Sequence, residues 1–369
     1  MEKERTQIYN IINIMDIISM LMILFYHCAC YQQIITGYMN PYVYTIISFF
    51  VNFGLTAFTF SSGFKQSFNH YLDFNDNDFF TSYLSKRSWH LYKIYLIYPF
   101  VCAIIYFILN ILNLTKHVQP YIAHMGAISI QSLFDWFLGS VPPVGGHLWF
   151  LFVLCLINII ALFLLKSTKI YGILIVFLFL LFYFLACPHT LTAICLTELP
   201  YYVLLYLIIY LSGLLMGFLY HFKKQYFEIG LAVISSIFII VIALFYLFEI
   251  LKVPFPNNTI FIQLYHNIFL KYGLTYPCFL MSVLYLFRKC SFLRHLSFLK
   301  QDTLYIYLLQ YPFVIPLFTR LLINLNVKHT TIITIDSFLL SLITCILLHR
   351  LIDYLVLKAK HLKTMKPIK

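Results

Sequence analysis

Asp16 and His27 are the two residues of the first long apolar stretch that could do proton or charge chemistry. They stand eleven residues apart. At 100° per residue that is about 20° past three full turns, so a helix puts both on one face, about 16 Å apart along its axis. His27 is of the type that titrates near neutral pH, so it can take a proton from a hydroxyl as a general base. Asp16 is a carboxylate buried within an apolar run, and ionisable groups in such places mark function by default. Each also has a plainer reading. His27 then simply meets water at a helix end, and Asp16 bonds a neighbouring helix. Position alone favours the plainer reading.

Four further clusters have the residue types of a site. Gly146-His147-Leu148-Trp149-Phe150-Leu151 opens a later apolar run with an imidazole and an indole, or with an ordinary interfacial tryptophan beside a loop histidine. Lys86-Arg87-Ser88-Trp89-His90-Leu91-Tyr92-Lys93 is rich in cations and aromatics. Arginine binds phosphate bidentately and an aromatic ring stacks on a base, but composition alone favours plain positive anchoring at a membrane surface. Ser61-Ser62-Gly63-Phe64 closes the second apolar run, where glycine permits close backbone approach or ends a helix. Tyr305-Ile306-Tyr307-Leu308-Leu309-Gln310 places an amide in an apolar run, where a neighbouring helix would satisfy it.

The elements that must position these residues are membrane helices. The chain of 369 residues is 62% hydrophobic and only 10% charged, against about 25% charged in a soluble domain. Such a chain cannot cover its surface with polar groups, and lipid removes the need. Apolar runs cover Ile8–Ala29, Val43–Phe64, Leu91–Leu114, Leu148–Leu165, Ile170–Cys187, Tyr201–Tyr220, Ile229–Leu251, Ile268–Phe287, Thr303–Asn324 and Thr331–Leu357. Each approaches the roughly 20 residues that span the hydrocarbon core. Tyr121–Leu138 is weaker and reads as an interfacial or re-entrant segment. Met1–Gln7 is polar, and the run after it is longer than the apolar core of a signal peptide, so it reads as a permanent helix.

With the N-terminus inside, twenty of the 25 lysines and arginines fall on inner segments and five on outer ones. That alternation predicts an all-α integral membrane protein of about ten spans with both termini cytoplasmic. No linker or repeat divides it, so residues 1–369 read as one membrane domain. On this topology His27, His147 and Trp149 share the outer face, while Arg87, His90 and Lys93 lie at the inner one. The net charge of +12 follows from the same inner bias and needs no nucleic acid. The nine cysteines are scattered, with no Cys-x-x-Cys, and no metal site is expected.

Taken in order, these pieces resemble the acyltransferase-3 family of bacterial membrane acyltransferases, which includes O-acetyltransferases of surface polysaccharides. That family's first helix reads Asp-x-x-Arg, ten residues, His. Here Asn13-Ile14-Met15-Asp16, ten residues and His27 occupy the frame. Asn52-Phe53-Gly54 through Phe64, Arg87 to Pro99 and Gly146 to Leu151 resemble its later segments. Gln310 ends Tyr307-Leu308-Leu309-Gln310 where the family has a histidine.

The resemblance implies a plasma-membrane enzyme with acyl-CoA, usually acetyl-CoA, as donor and no permanently bound cofactor. The acceptor is a hydroxyl of a cell-surface or capsular polysaccharide. His27 is implied as base, His147 and Trp149 as oxyanion donors, and Arg87, His90, Lys93 and Ser62 as holders of the donor. Asp16 reverses the charge of the family arginine. Another cation then supplies that role, or donor binding differs, or the enzyme is inactive.

Two readings outside acyl transfer stand beside it. A polysaccharide exporter or flippase should line a path with polar residues across several helices, and this chain has few. A polysaccharide polymerase should carry a basic outer loop, whereas Asn113–His147 has only Lys116.

Overall fold

Every regular element of the computed structural model is a helix among the residues described, which are 2–37, 41–70, 77–111, 148–186, 198–251, 275–288, 295–327 and 329–364. In chain order the α-helices are α1 Glu2–Thr36, α2 Pro41–His70, α3 Asn77–Tyr83, α4 Trp89–Ile111, α5 Trp149–Ala186 and α6 Glu198–Phe222. They continue as α7 Lys224–Leu251, α8 Thr275–Leu286, α9 Thr303–Leu309, α10 Ile315–Asn324 and α11 Thr330–Thr364. Among the described residues five stretches are long and apolar enough to cross a membrane: Glu4–Gln33, Phe80–Ile105, Trp149–Ser167, Tyr202–Phe222 and Thr330–Lys358. The protein is thus an all-helical, multi-pass membrane protein. The expected count of ten spans is not reached among the described residues.

One reason is α5. The sequence suggests two spans, Leu148–Leu165 and Ile170–Cys187, parted at Lys166–Lys169. The structure has one unbroken helix from Trp149 to Ala186. No glycine or proline lies between Lys166 and Lys169 to stop it, and the Ser167 hydroxyl donates back to the Phe163 carbonyl at 2.8 Å. The expected interfacial segment Tyr121–Leu138 and His147 lie outside the described residues.

The helices form where apolar runs lack breakers, and end where backbone chemistry requires it. Gly37 follows α1 at φ 68°, and its N–H returns to the Gln33 carbonyl at 2.8 Å. That is a left-handed C-terminal cap, a conformation a side chain would strain. The expected end of the second helix at Ser61–Phe64 is not there. Helix α2 runs on to His70, so Gly63 is interior and Lys65 is helical.

Gly63 serves close approach instead. A Cβ on Gly63 would strike the Tyr210 carbonyl oxygen, and one on Gly213 would strike that of Phe60. Helices α2 and α6 thus touch backbone to backbone, the use membrane proteins make of small residues. Around this contact lies an aromatic core that includes Phe60, Phe64, Phe68, Tyr206 and Tyr210, each 0–2% exposed. Helix α4 does the reverse. Ile97, Phe100, Ile104 and Phe107 are more than half exposed, an apolar face suited to lipid.

The run Thr303–Asn324 stays helical but not uniform. A π-turn, Gln310–Val314, separates α9 from α10. Pro312 has no N–H to return to the Leu308 carbonyl, and the Tyr98 hydroxyl of α4 donates to that carbonyl instead. Helix α11 runs antiparallel to α1. Phe338 meets Phe25 at 5.6 Å between ring centres, while Asp302, which His349 of α11 contacts, lies two residues from Lys300, a partner of Asp16. The start of α1 and the end of α11 therefore lie at the same end of the bundle.

Candidate active site on helix α1

The inner and outer chemistry of the sequence meet two different points of α1. The deeper point is Asp16, 3% exposed. Its carboxylate accepts the Ser61 hydroxyl and the ammonium groups of Lys65 and Lys300. Ser61 and Lys65 are four residues apart on α2, so one turn presents both to α1. Lys300 comes from the 3-10 turn Ser297–Asp302. Both lysines contact the same carboxylate oxygen, Oδ2. A carboxylate alone in an apolar core would be costly, and two cations with a hydroxyl remove that cost.

Arg87 belongs to the same centre. It is half-buried, its guanidinium lies 5.6 Å over the Tyr83 ring, and it is near enough to Asp16 for their charges to be felt, without forming an ion pair. Beside it the Tyr210 hydroxyl lies 2.5 Å from Gln66 Oε1 and 2.8 Å from Asn158 Oδ1. The Tyr83 hydroxyl reaches the same Asn158 oxygen at 3.4 Å. One carboxylate therefore faces three cations, so the centre holds two positive charges in excess. Such a place can receive an anion of more than one charge.

The rest of the basic cluster is placed differently. His90 and Lys93 are exposed on α4, and Lys93 lies 5.5 Å over the Trp89 ring, itself 48% exposed. The structure brings Arg87, but neither His90 nor Lys93, to Asp16. Ser62 is buried, yet it is Ser61 that bonds the carboxylate.

The second point is His27. It lines a cavity of about 150 Å³ with Ile23, Tyr26, Leu55, Trp149, Phe150 and Tyr307. Four helices build it: α1, α2, α5 and α9. Trp149 opens α5, where Tyr202 and Tyr206 of α6 hold its ring at 5.0 and 6.1 Å. Gln310, fully buried at the start of the π-turn, lies near His27, but its amide completes no hydrogen bond there. A π-turn shifts the helical register by one residue and recurs at functional positions. His27 and Trp149, assigned to one membrane face from the sequence, line the same cavity.

Chemically, this is an imidazole with an indole N–H and a phenol nearby, in room for a few heavy atoms. A base and hydrogen-bond donors around a small space suit transfer of a small group to a hydroxyl. Among the described residues no group of three histidine, cysteine or acidic side chains is placed to hold a metal ion.

Lys65 and Lys300 are the residues that sequence reasoning missed. Both read there as ordinary inner charges. One signal existed: Ser61 and Lys65 lie on one face of a helix that nothing in the sequence stops before His70. For Lys300 there was none, because 284 residues separate it from Asp16.

Comparison with known proteins gives the family of the chain. A family model described as an acyltransferase domain matches residues 9–350. That range takes in both points of α1 and both lysines. Neither the curated proteins nor the solved structures compared with the chain contain a match. The chain belongs to the acyltransferase-3 family.

Proposed function

We propose that this acyltransferase moves an acyl group, acetyl in the first instance, from acyl-CoA to a hydroxyl of a cell-surface or capsular polysaccharide. The observation that carries this reading is the arrangement along α1. His27 and Trp149 share a cavity at one point, and a centre with excess positive charge lies about 16 Å away along the same helix. In this reading the charged end faces the cytoplasm of a bacterial cell, with both termini on that side. Lys65, Lys300 and Arg87 receive the phosphates of the donor, with Ser62 close by. His90 and Lys93 sit where they would meet lipid headgroups or the outlying part of the nucleotide. The flexible pantetheine arm then runs towards His27.

The transfer balances without any resident cofactor. His27 takes the proton of the acceptor hydroxyl as the oxygen attacks the thioester carbonyl. The carbonyl oxygen gains negative charge, which the Trp149 indole N–H and the Tyr307 hydroxyl stabilise, with His147 as a further donor. The carbon–sulfur bond then breaks. The departing thiolate takes the proton back from the imidazolium, leaving ester and free coenzyme A. Gln310 orients the His27 ring in this scheme.

The test is ester acetate on the glycan of cells carrying the wild-type protein or His27→Ala. Loss of the ester in the variant, with the glycan still at the surface, supports the reading. Full acetylation in the variant overturns it, and glycan missing from the surface altogether would point to an exporter.

A further inference from the structure

A second charged cluster lies on the far side of Lys300. Asp302, two residues on in the same 3-10 turn, is fully buried. Its carboxylate accepts from His349 Nδ1 at 2.5 Å and from Arg350 at 2.9 Å, both on α11. The other ring nitrogen of His349 faces the Asp353 carboxylate at 3.1 Å. Tyr305 stacks on the His349 ring at 3.7 Å, 19° from parallel. The Thr303 hydroxyl donates to the Lys300 carbonyl at 2.9 Å, which ties the two ends of the turn together.

None of this touches the His27 cavity, and stability alone would not call for it. Buried ion pairs often contribute no more than apolar residues of the same volume. What such a cluster supplies is direction. Apolar packing would let a short turn rotate or slide on α11, whereas an imidazole and a guanidinium held on one carboxylate fix its angle. The residue whose reach depends on that angle is Lys300, whose side chain remains 34% exposed while its ammonium contacts Asp16.

We infer that Asp302, His349 and Arg350 form a clamp that positions Lys300 over Asp16 and so sets the affinity for the anionic part of the donor. The clamp residues are positioning residues, acting only through Lys300. The inference rests on the reading that Lys65, Lys300 and Arg87 receive the donor phosphates.

The experiment measures coenzyme A binding by calorimetry to the full-length protein in detergent, for Lys300→Met, Asp302→Asn, Arg350→Gln and the double variants. Losing one charge-assisted contact weakens binding by about tenfold. Lys300→Met should show that loss, and the clamp variants should each lose several-fold. In the Lys300→Met background the clamp substitutions should add nothing, because their effect runs through the lysine. Arg350→Lys should restore most of the affinity, and the acceptor KM should stay unchanged throughout. Arg350 is 43% exposed on its side chain, so Arg350→Gln carries the test if Asp302→Asn fails to fold. Wild-type affinity in the clamp variants, beside a tenfold loss in Lys300→Met, overturns the clamp alone. Additive losses overturn it as well. Unchanged affinity in Lys300→Met overturns the donor-site reading and the clamp with it.

Discussion

Replacing Asp16 by arginine should damage this protein rather than improve it. Asp16 is 3% exposed and holds Lys65 and Lys300 on one oxygen. Asp16→Arg removes both pairs and adds a third cation to the two lysines, with Arg87 near by. Breaking one buried pair costs about 3–5 kcal/mol. The Lys65 pair earns that figure, since Lys65 is 9% exposed. The Lys300 pair contributes less, because its ammonium is partly in solvent and can swing away. Like charges about 4 Å apart add roughly 4 kcal/mol at an effective dielectric of 20, much of it relieved as side chains move. A net loss of about 3 kcal/mol or more follows, a fall in Tm on the order of 5–10 °C. Thermal unfolding of the purified protein in detergent measures it, with acetyl transfer alongside. The charge swap Asp16→Lys with Lys65→Asp should recover at least half the loss. Wild-type Tm in Asp16→Arg would refute the ion-pair argument. Acyl transfer appearing only in that variant would show that the natural chain had lost its activity.

Three other outcomes follow from the same geometry. His27→Ala should lower acyl transfer by about 10²–10⁴-fold with Tm unchanged, the range for a lost general base, as read by ester acetate release. Trp149→Phe keeps the ring against Tyr202 and Tyr206 but removes the indole N–H. It should lower kcat by about 10²–10³-fold with acceptor KM nearly constant, and an unchanged kcat would remove Trp149 from the oxyanion site. Gly213→Leu forces side-chain atoms into the Phe60 carbonyl where α2 and α6 touch. It should cost about 1–3 kcal/mol or more, seen as a lower Tm even where His27 is untouched.

The helical membrane fold was legible because composition and run length carry it directly. The same signal failed at α5, where two lysines read as a loop but the stretch between them has no glycine or proline and the helix runs through it. Charge patterning reports where the lysines lie in sequence, not whether backbone hydrogen bonds break there. The alignment of Asp16 with His27 was legible because helical periodicity fixes it within one element. The meeting of His27 with Trp149 was legible in part, as two residues assigned to one membrane face. The partners of Asp16 were not, because they arise from packing of α1, α2 and a turn near residue 300. Nothing local in the sequence distinguishes Lys300 from Lys289 or Lys358. Arg87 separated from His90 and Lys93 for the same reason: it lies in the π-turn Leu84–Ser88 before α4, and only packing decides which residues of the turn and of α4 face inward.

The lysines also decide what a carboxylate at position 16 does to the charge of this centre. A single arginine on α1 would bring one positive charge to this depth. Asp16 with Lys65 and Lys300 brings the same net charge, one carboxylate against two ammonium groups, and Arg87 adds to either arrangement. The field an incoming anion meets thus has the sign that an arginine on α1 would give it, although the residue there is a carboxylate. The geometry differs, however. An arginine offers a rigid fork of donors from one helix, while the two lysines are point charges from α2 and the 297–302 turn that one carboxylate holds together. In this chain the site's charge depends on three separate segments staying in register, with Asp16 as the group that gathers them. That is why Asp16→Asn should resemble loss of both lysines more than loss of an acid. The lysines would remain but would repel each other, and coenzyme A binding should fall at least as far as in Lys65→Met. Binding that improves in Asp16→Asn would mean that the carboxylate competes with the donor rather than assembling its site.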